Sequence, residues 1–201
     1  MPASAAALAA LCVPGAAFAA DGTLTLNAGD GSTLAGHSFT VYKLANYNDV
    51  VKDGANVKSV SASSPSAAAD AWVKAALNKN GVTYNTSEGR NAAEQLLRLQ
   101  TDSNTLRKVA GTLQSTAAAS KVTAVKTNQT STTGSLNLTL PEGYYLVVDA
   151  QGIPILVSTT IGGATRMSNG QVLGSTQIKT NVTKIDKKIK LSLIHISEPT
   201  R

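Results

Sequence analysis

Apolar and polar side chains alternate along much of this chain. Leu24 and Leu26 stand between threonines, Phe39 and Val41 lie two apart, and Leu136, Leu138 and Leu140 alternate with Asn137 and Thr139. A period of two places each such set on one face of a sheet. The pattern predicts strands over residues 23–26, 37–44, 121–126, 134–140, 144–149, 153–160 and 176–182. Residues 153–160 are too apolar for an edge and are expected at the centre of a sheet. Between Leu140 and Tyr144, Pro141, Glu142 and Gly143 supply turn chemistry, so the two flanking strands read as a β-hairpin. Residues 127–133 read as a polar hairpin connection, and residues 46–63 as irregular.

In the middle of the chain the period changes. Ala69, Trp72, Val73, Ala76 and Leu77 recur at the spacing of one helical face. Ser64 could cap that helix, with Pro65 at its first position. Ala93, Leu96 and Leu97 form a second stripe, and Leu106, Val109, Ala110 and Leu113 a third. Three amphipathic segments over about 65–116 therefore read as a helical insertion packed on one side of a sheet. Trp72 reads as a core anchor. The order strand, strand, helices, then five strands argues for a mainly β antiparallel sandwich.

Composition narrows the class. The chain has 201 residues, of which 4% are aromatic, and a formal net charge of +6. Much of that charge is local, because Lys184, Lys187, Lys188 and Lys190 crowd into one short run beside Asp186. Residues 21–183 carry thirteen basic against ten acidic side chains, and no basic face interleaved with aromatics is visible. A nucleic-acid partner is not expected.

Both ends carry separate signals. Residues 3–19 are almost wholly small or apolar, and Ala17-Phe18-Ala19 fits the small-x-small rule for signal cleavage. Residues 1–20 are therefore read as a secretory signal peptide, cleaved near Ala17, Ala19 and Ala20. Cys12, the only cysteine, falls inside it. The last eleven residues, 191–201, match the translation of a transposase-type sequencing adapter, and we read them as an artefact. His195 then carries no functional weight. Residues 21–183 form the expected domain, and residues 184–190 a linker leading into the first strand of a second, truncated domain.

Catalytic chemistry finds few residues. With His37 as the one histidine outside the adapter-like segment, multi-His metal sites and His-based triads have no material. His37 itself is expected at a strand end or on the surface. No phosphate-binding loop, nucleophile elbow or dinucleotide fingerprint occurs. Glu142 and Asp149 make a poor acid/base pair, because Glu142 falls in the Pro-Gly turn and Asp149 reads as a strand-end or turn residue. Asn46, Asn48, Asp49 and Asp53 miss the spacing of a calcium loop. No enzyme activity and no cofactor are expected.

Two motifs carry a resemblance. Leu34, Gly36, Phe39, Val41, Tyr42 and Lys43 match an opening strand of the form L-x-G-x-x-F-x-V-Y-K. Leu140, Pro141, Gly143 and Tyr145 match a closing L-P-x-G-x-Y. Together with the helical insertion and the exit segment TNVTKIDKKIK, residues 22–190 resemble the N-terminal domain of fimbrial shaft pilins. These are sortase-assembled subunits of Gram-positive bacteria, built from collagen-adhesin B-repeat-like modules. The resemblance implies an immunoglobulin-like fold and a secreted, cell-wall-anchored pilus. Its partners would be other pilin subunits joined by sortase, with host surface ligands also possible. Contact with a membrane would be transient, through the signal or a lost C-terminal anchor. The alternative on the same fold is a surface adhesin binding host protein or glycan.

Family modules often hold an autocatalytic Lys–Asn amide bond. A buried lysine loses its proton readily, and the neutral amine is the nucleophile. Here no lysine lies between Leu24 and Leu26, and Asp149 stands where the closing strand often carries Glu. No such bond is expected within residues 21–183. Ile185, Lys187 and Ile189 share one face of an extended segment, which makes Lys187, or Lys188 in a shifted register, the candidate bond-forming lysine of the next domain. Lys179 and Lys184 are positional candidates for the sortase-linked lysine, since the family's Y-P-K motif does not occur.

Overall fold

A computed structural model describes residues 20–29, 32–83, 91–99, 103–151 and 154–178. The chain is mainly β with helices. Its strands are β1 (Asp21–Ala28), β2 (Phe39–Asp53), β3 (Asn56–Ser63), β4 (Lys126–Gln129), β5 (Ser135–Pro141), β6 (Gly143–Asp149), β7 (Ile155–Ser158) and β8 (Ser175–Ile178). Helices α1 (Ala67–Lys79), α2 (Ala92–Arg98) and α3 (Ser103–Thr116) lie between β3 and β4.

The strands form two sheets. A three-stranded sheet has the order β5-β1-β8, and a five-stranded sheet the order β3-β2-β6-β7, with β4 also paired to β2. Among the described strands all pairings but one are antiparallel; β8 runs parallel to β1, from Thr25↔Ser175 to Ala28↔Ile178. This two-sheet arrangement is compatible with a β-sandwich, with the helices on the outer face of the larger sheet.

Alternation explains the layers. Leu24 and Leu26 of β1 and Leu138 and Leu140 of β5 meet Phe39, Val41, Tyr145 and Val147 between the sheets. On the other face of the larger sheet, Leu44, Tyr144 and Leu146 pack against Trp72, Val73, Leu77, Leu96 and Leu113 from the helices. β6 is thus covered on both sides, which is why GYYLVVD reads as a continuous apolar run rather than an alternation. Trp72 is a core anchor as expected. Its ring meets Tyr42 edge-on with centroids 5.4 Å apart, and its Nε1 donates to the Thr116 hydroxyl at 2.9 Å.

The three helical stripes face the core as the spacing predicts. Ala69, Trp72, Val73, Ala76 and Leu77 are all buried, as are Ala93, Leu96, Val109, Ala110 and Leu113. The cap differs. Ser66, not Ser64, is the N-cap of α1, its hydroxyl accepting from the Ala69 N–H at 3.1 Å. Ser64 instead donates to Asp70 at 3.0 Å. With Pro65 ahead of the cap, the serine that follows it is the one able to reach an unpaired N–H of the first turn.

Four other expectations are corrected. The LPEGYY segment is not a hairpin, because β5 pairs only with β1 and β6 with β2 and β7. Pro141-Glu142-Gly143 is a corner that carries the chain from one sheet to the other. Residues 46–63 are not irregular; they complete β2 and form β3, joined by a two-residue turn at Gly54 and Ala55. Asp53-Gly54 is the hairpin signal there, masked because the last six residues of β2 are exposed on both faces and show no alternation. The strand expected over 121–126 begins only at Lys126, and its neighbours 127–129 belong to β4.

β7 lies at the end of its sheet, not the centre. Its apolar character comes from cover on both faces: Ile155 and Val157 pack into the inter-sheet core and Leu156 against the helical side. The chain continues through Ser158, Thr159 and Thr160, all buried, and stitches the sheets together. Thr160 N–H donates to the Thr23 carbonyl at 3.0 Å, and Gly174 N–H to the Ser158 carbonyl at 3.0 Å.

Candidate functional site

The corner is built from residues that could not easily be others. Gly143 backs onto β2 so closely that a Cβ there would meet the Ala45 carbonyl oxygen at 2.4 Å and Lys43 Cε at 2.6 Å. Its N–H donates to the Thr159 hydroxyl at 3.0 Å. The Glu142 N–H donates to the Ala20 carbonyl at 2.8 Å, and the Glu142 carboxylate accepts from the Gly162 N–H. Tyr145, fully buried, donates its hydroxyl to the Pro141 carbonyl and so latches the turn from inside. Gly22 and Gly174 press on the same strap, where a Cβ would come within 2.6 Å of Thr160 O and 2.5 Å of Thr160 Cγ2 respectively.

The four residues of the L-P-x-G-x-Y pattern therefore come together in space: Leu140 in the inter-sheet core, Pro141 and Gly143 at the corner, Tyr145 beneath it. Lys43 joins them, its Nζ 5.9 Å from the centroid of the Tyr145 ring. Burial pulls the Lys43 amine below its ordinary value, and the Glu142 carboxylate partly offsets that. Burial likewise raises the Tyr145 phenol, with the Asp21 charge adding to the effect. Tyr47 is raised too, by burial first, against the hydrogen bond it makes to Ser158 at 2.8 Å.

A second polar cluster closes the other end of β6. Asp149 is buried, and its Oδ2 lies 2.5 Å from His37 Nδ1. Its Oδ1 accepts from the Gln151 N–H at 3.1 Å, while the Gln151 amide donates to the Gly36 carbonyl at 2.9 Å. Asp149 is a strand-end residue as expected, and its carboxylate clasps the loop ahead of β2. His37 sits at that strand's start with its ring stacked on Phe39, centroids 6.1 Å apart. Sequence reasoning places both residues but does not pair them, since 112 positions separate them.

The third feature is a groove of about 860 Å³ beside β3. Ser59 and Ser61 form one side, Leu97 of α2 another, and Met167 and Leu173 of the loop between β7 and β8 the third, with Tyr47 also lining it. That loop turns through glycines at positive φ, Gly162, Gly163 and Gly170 among them. Its Gly-Gly and Asn-Gly pairs are legible as turn signals, but nothing local tells which strand the loop meets.

Asn48 and Asp49, which miss calcium-loop spacing, are rungs of the β2–β3 ribbon: Asn48 donates to Ser63 at 2.8 Å, and Asp49 accepts from Ser61 at 2.7 Å. Among the described residues, no group of three or more His, Cys, Asp or Glu side chains could hold a metal ion. Glu142 and Asp149 stand at opposite ends of β6 and form no pair. Ala20 is exposed, its carbonyl held by Glu142. Ala17, Ala19, Lys179, Lys184, Lys187 and Lys188 lie outside the described residues. No family model matches the chain, and the searches of curated proteins and of solved structures return no match either.

Proposed function

We propose that this chain is the N-terminal, immunoglobulin-like domain of a structural subunit of a cell-surface pilus, secreted and joined covalently to its neighbours by sortase. The observation that carries the reading is the inter-sheet corner. Leu140, Pro141, Gly143 and Tyr145, the residues of the closing motif, each have a distinct mechanical role there, and Phe39, Val41 and Lys43 of the opening motif pack directly against them. A latch from a buried tyrosine near the start of its strand to the backbone a few residues upstream is a feature of immunoglobulin-type sandwiches.

Such a corner suits a load-bearing module. Its hydrogen bonds cross between sheets, and its glycines admit backbone contacts that a side chain would block. The test is an immunoblot of boiled, SDS-treated wall extracts from the source cell, using antiserum against residues 20–178. A ladder of high-mass species that collapses when the sortase gene is deleted supports the proposal. One monomer-sized band in all fractions contradicts it.

A second reading, a surface adhesin, draws on the groove beside β3. Saturable binding of host protein or glycan by the isolated monomer, with no wall-linked ladder, would favour it.

A further inference from the structure

A second groove, of about 420 Å³, runs between α1 and α3. Trp72 and Ala76 form its floor, with Ala71 and Ala75 along one wall and Thr116 and Ala119 along the other. The floor is fixed in place: Trp72 Nε1 donates to the Thr116 hydroxyl at 2.9 Å, and that hydroxyl donates to the Thr112 carbonyl at 2.7 Å.

Charge enters this groove only at its two ends. α3 runs antiparallel to α1, with Thr116 beside Trp72 and the Thr112 hydroxyl 3.0 Å from the Asn80 amide. Lys79 therefore stands at one end. Lys121, which follows the short turn after α3, stands at the other, near Ala68. Ser120 shapes that turn, its hydroxyl donating to the Ala117 carbonyl at 2.7 Å and accepting from the Val122 N–H at 3.1 Å. Among the described residues neither lysine makes an ion pair, and no acidic side chain lines the groove.

We infer that this groove receives one amphipathic α-helix of a partner protein, with a carboxylate at each end of its apolar stripe. Ala68 and Lys79 are eleven residues apart, about 16 Å at 1.5 Å per residue. Eleven residues are close to three turns, so acidic side chains at i and i+11 of the partner share one face and meet both lysines. Methyl walls admit a close helix approach, near the lower limit of about 8 Å between axes. An apolar stripe laid in a groove is a recurring mode of peptide recognition. A single-chain amphiphile would engage one lysine and leave the other idle. A second copy of this chain fits poorly, because none of its described helices carries more than one acidic residue. The inference stands whether or not the chain polymerises.

The probe is a sixteen-residue synthetic peptide, blocked at both ends and built on alanine and glutamine. It carries leucine at its seventh and tenth positions and glutamate at its third and fourteenth. It is titrated into the full chain, read by the fluorescence of Trp72, the only tryptophan, and by backbone amide NMR. Expected are a saturable change in Trp72 emission and amide shifts confined to α1, α3 and residues 117–121. The same peptide with lysine in place of both glutamates should bind at least tenfold more weakly. Lys79→Glu combined with Lys121→Glu, both at exposed positions, should reverse that preference, an outcome that misfolding could not produce. Equal binding of the two peptides by the unaltered chain overturns the inference, as does no response at millimolar peptide. A Trp72 response to laurate with none to either peptide also overturns it and assigns the groove to an amphiphile. Self-association of the chain through α1 and α3 overturns it in favour of a second copy.

Discussion

The Tyr145 hydroxyl donates to the Pro141 carbonyl four residues earlier, across the corner where the chain leaves one sheet for the other. The same ring is buried against Phe39 and Val41 in the inter-sheet core. One side chain thus fixes both the angle of the corner and the packing beneath it. Tyr145→Phe keeps the ring and removes only the latch. It should cost about 1 kcal/mol, the usual net worth of such a hydrogen bond, read as a lower urea midpoint at unchanged slope. Tyr145→Ala, which also empties the core position, should cost about 3–5 kcal/mol.

Glycines divide sharply by position. Gly143→Ala drives a methyl group into the Ala45 carbonyl, so it should destabilise by at least about 2 kcal/mol, in the range of overpacked cores. Gly111, inside α3, has open space where an alanine methyl would stand, with nothing within 4 Å. Gly111→Ala should stabilise by about 0.5–1 kcal/mol through helix propensity. Thermal melts of the two variants should move in opposite directions.

Asp149→Ala removes a buried acceptor that serves His37 and the Gln151 N–H. Hydrogen bonds to a charged group are worth about 1.5–3 kcal/mol, and a loss of that order is expected in chemical denaturation. His37→Ala should cost as much or more, because the carboxylate then stays buried with one partner gone. In the double variant the losses should fall short of additive, the sign of a shared interaction.

Alkaline titration separates two opposed effects. Lys43 has a folded pKa below its free value of 10.5, so in the range beneath 10.5 the unfolded chain binds more protons there than the folded one. Stability gains as pH rises through that range. Tyr47 and Tyr145 have folded values above their free value of 10.0, so the folded chain retains those protons longer. Their contribution is full below 10.0 and is lost as pH climbs beyond it. Lys43→Met should abolish the gain, and Tyr47→Phe should reduce the loss, in urea midpoints followed between about pH 8 and 11.

Local periodicity makes the secondary structure of the body readable, and it fails where partners are distant. The face of α1 is legible from Ala69 to Leu77 because helix packing repeats within the segment itself. The β2–β3 ribbon is not, since the end of β2 is exposed on both faces and leaves no alternation, with Val50 and Val51 themselves open to solvent. The LPEGYY motif is recognisable, yet the same Pro-Gly chemistry serves a hairpin and an inter-sheet corner. Only the pairing of β5 with β1 separates the two. The groove is invisible for the same reason: Ser59, Leu97 and Met167 come from three segments with nothing in common locally.

No amide cross-link is expected within the described domain. The Asp149 carboxylate is engaged by His37 and Gln151, and Thr25 stands between the two β1 leucines that face the core. The intact mass of a fragment covering residues 20–178 should equal that of its sequence, with no ammonia or water lost.

The proposal of a pilus subunit is tested by incubating the full-length protein with a pilin-class sortase and sequencing the products by mass spectrometry. Expected are SDS-resistant oligomers whose linking peptide contains a lysine beyond Ile178, with Lys179 and Lys184 the positional candidates. A protein that stays monomeric with an active sortase would contradict it.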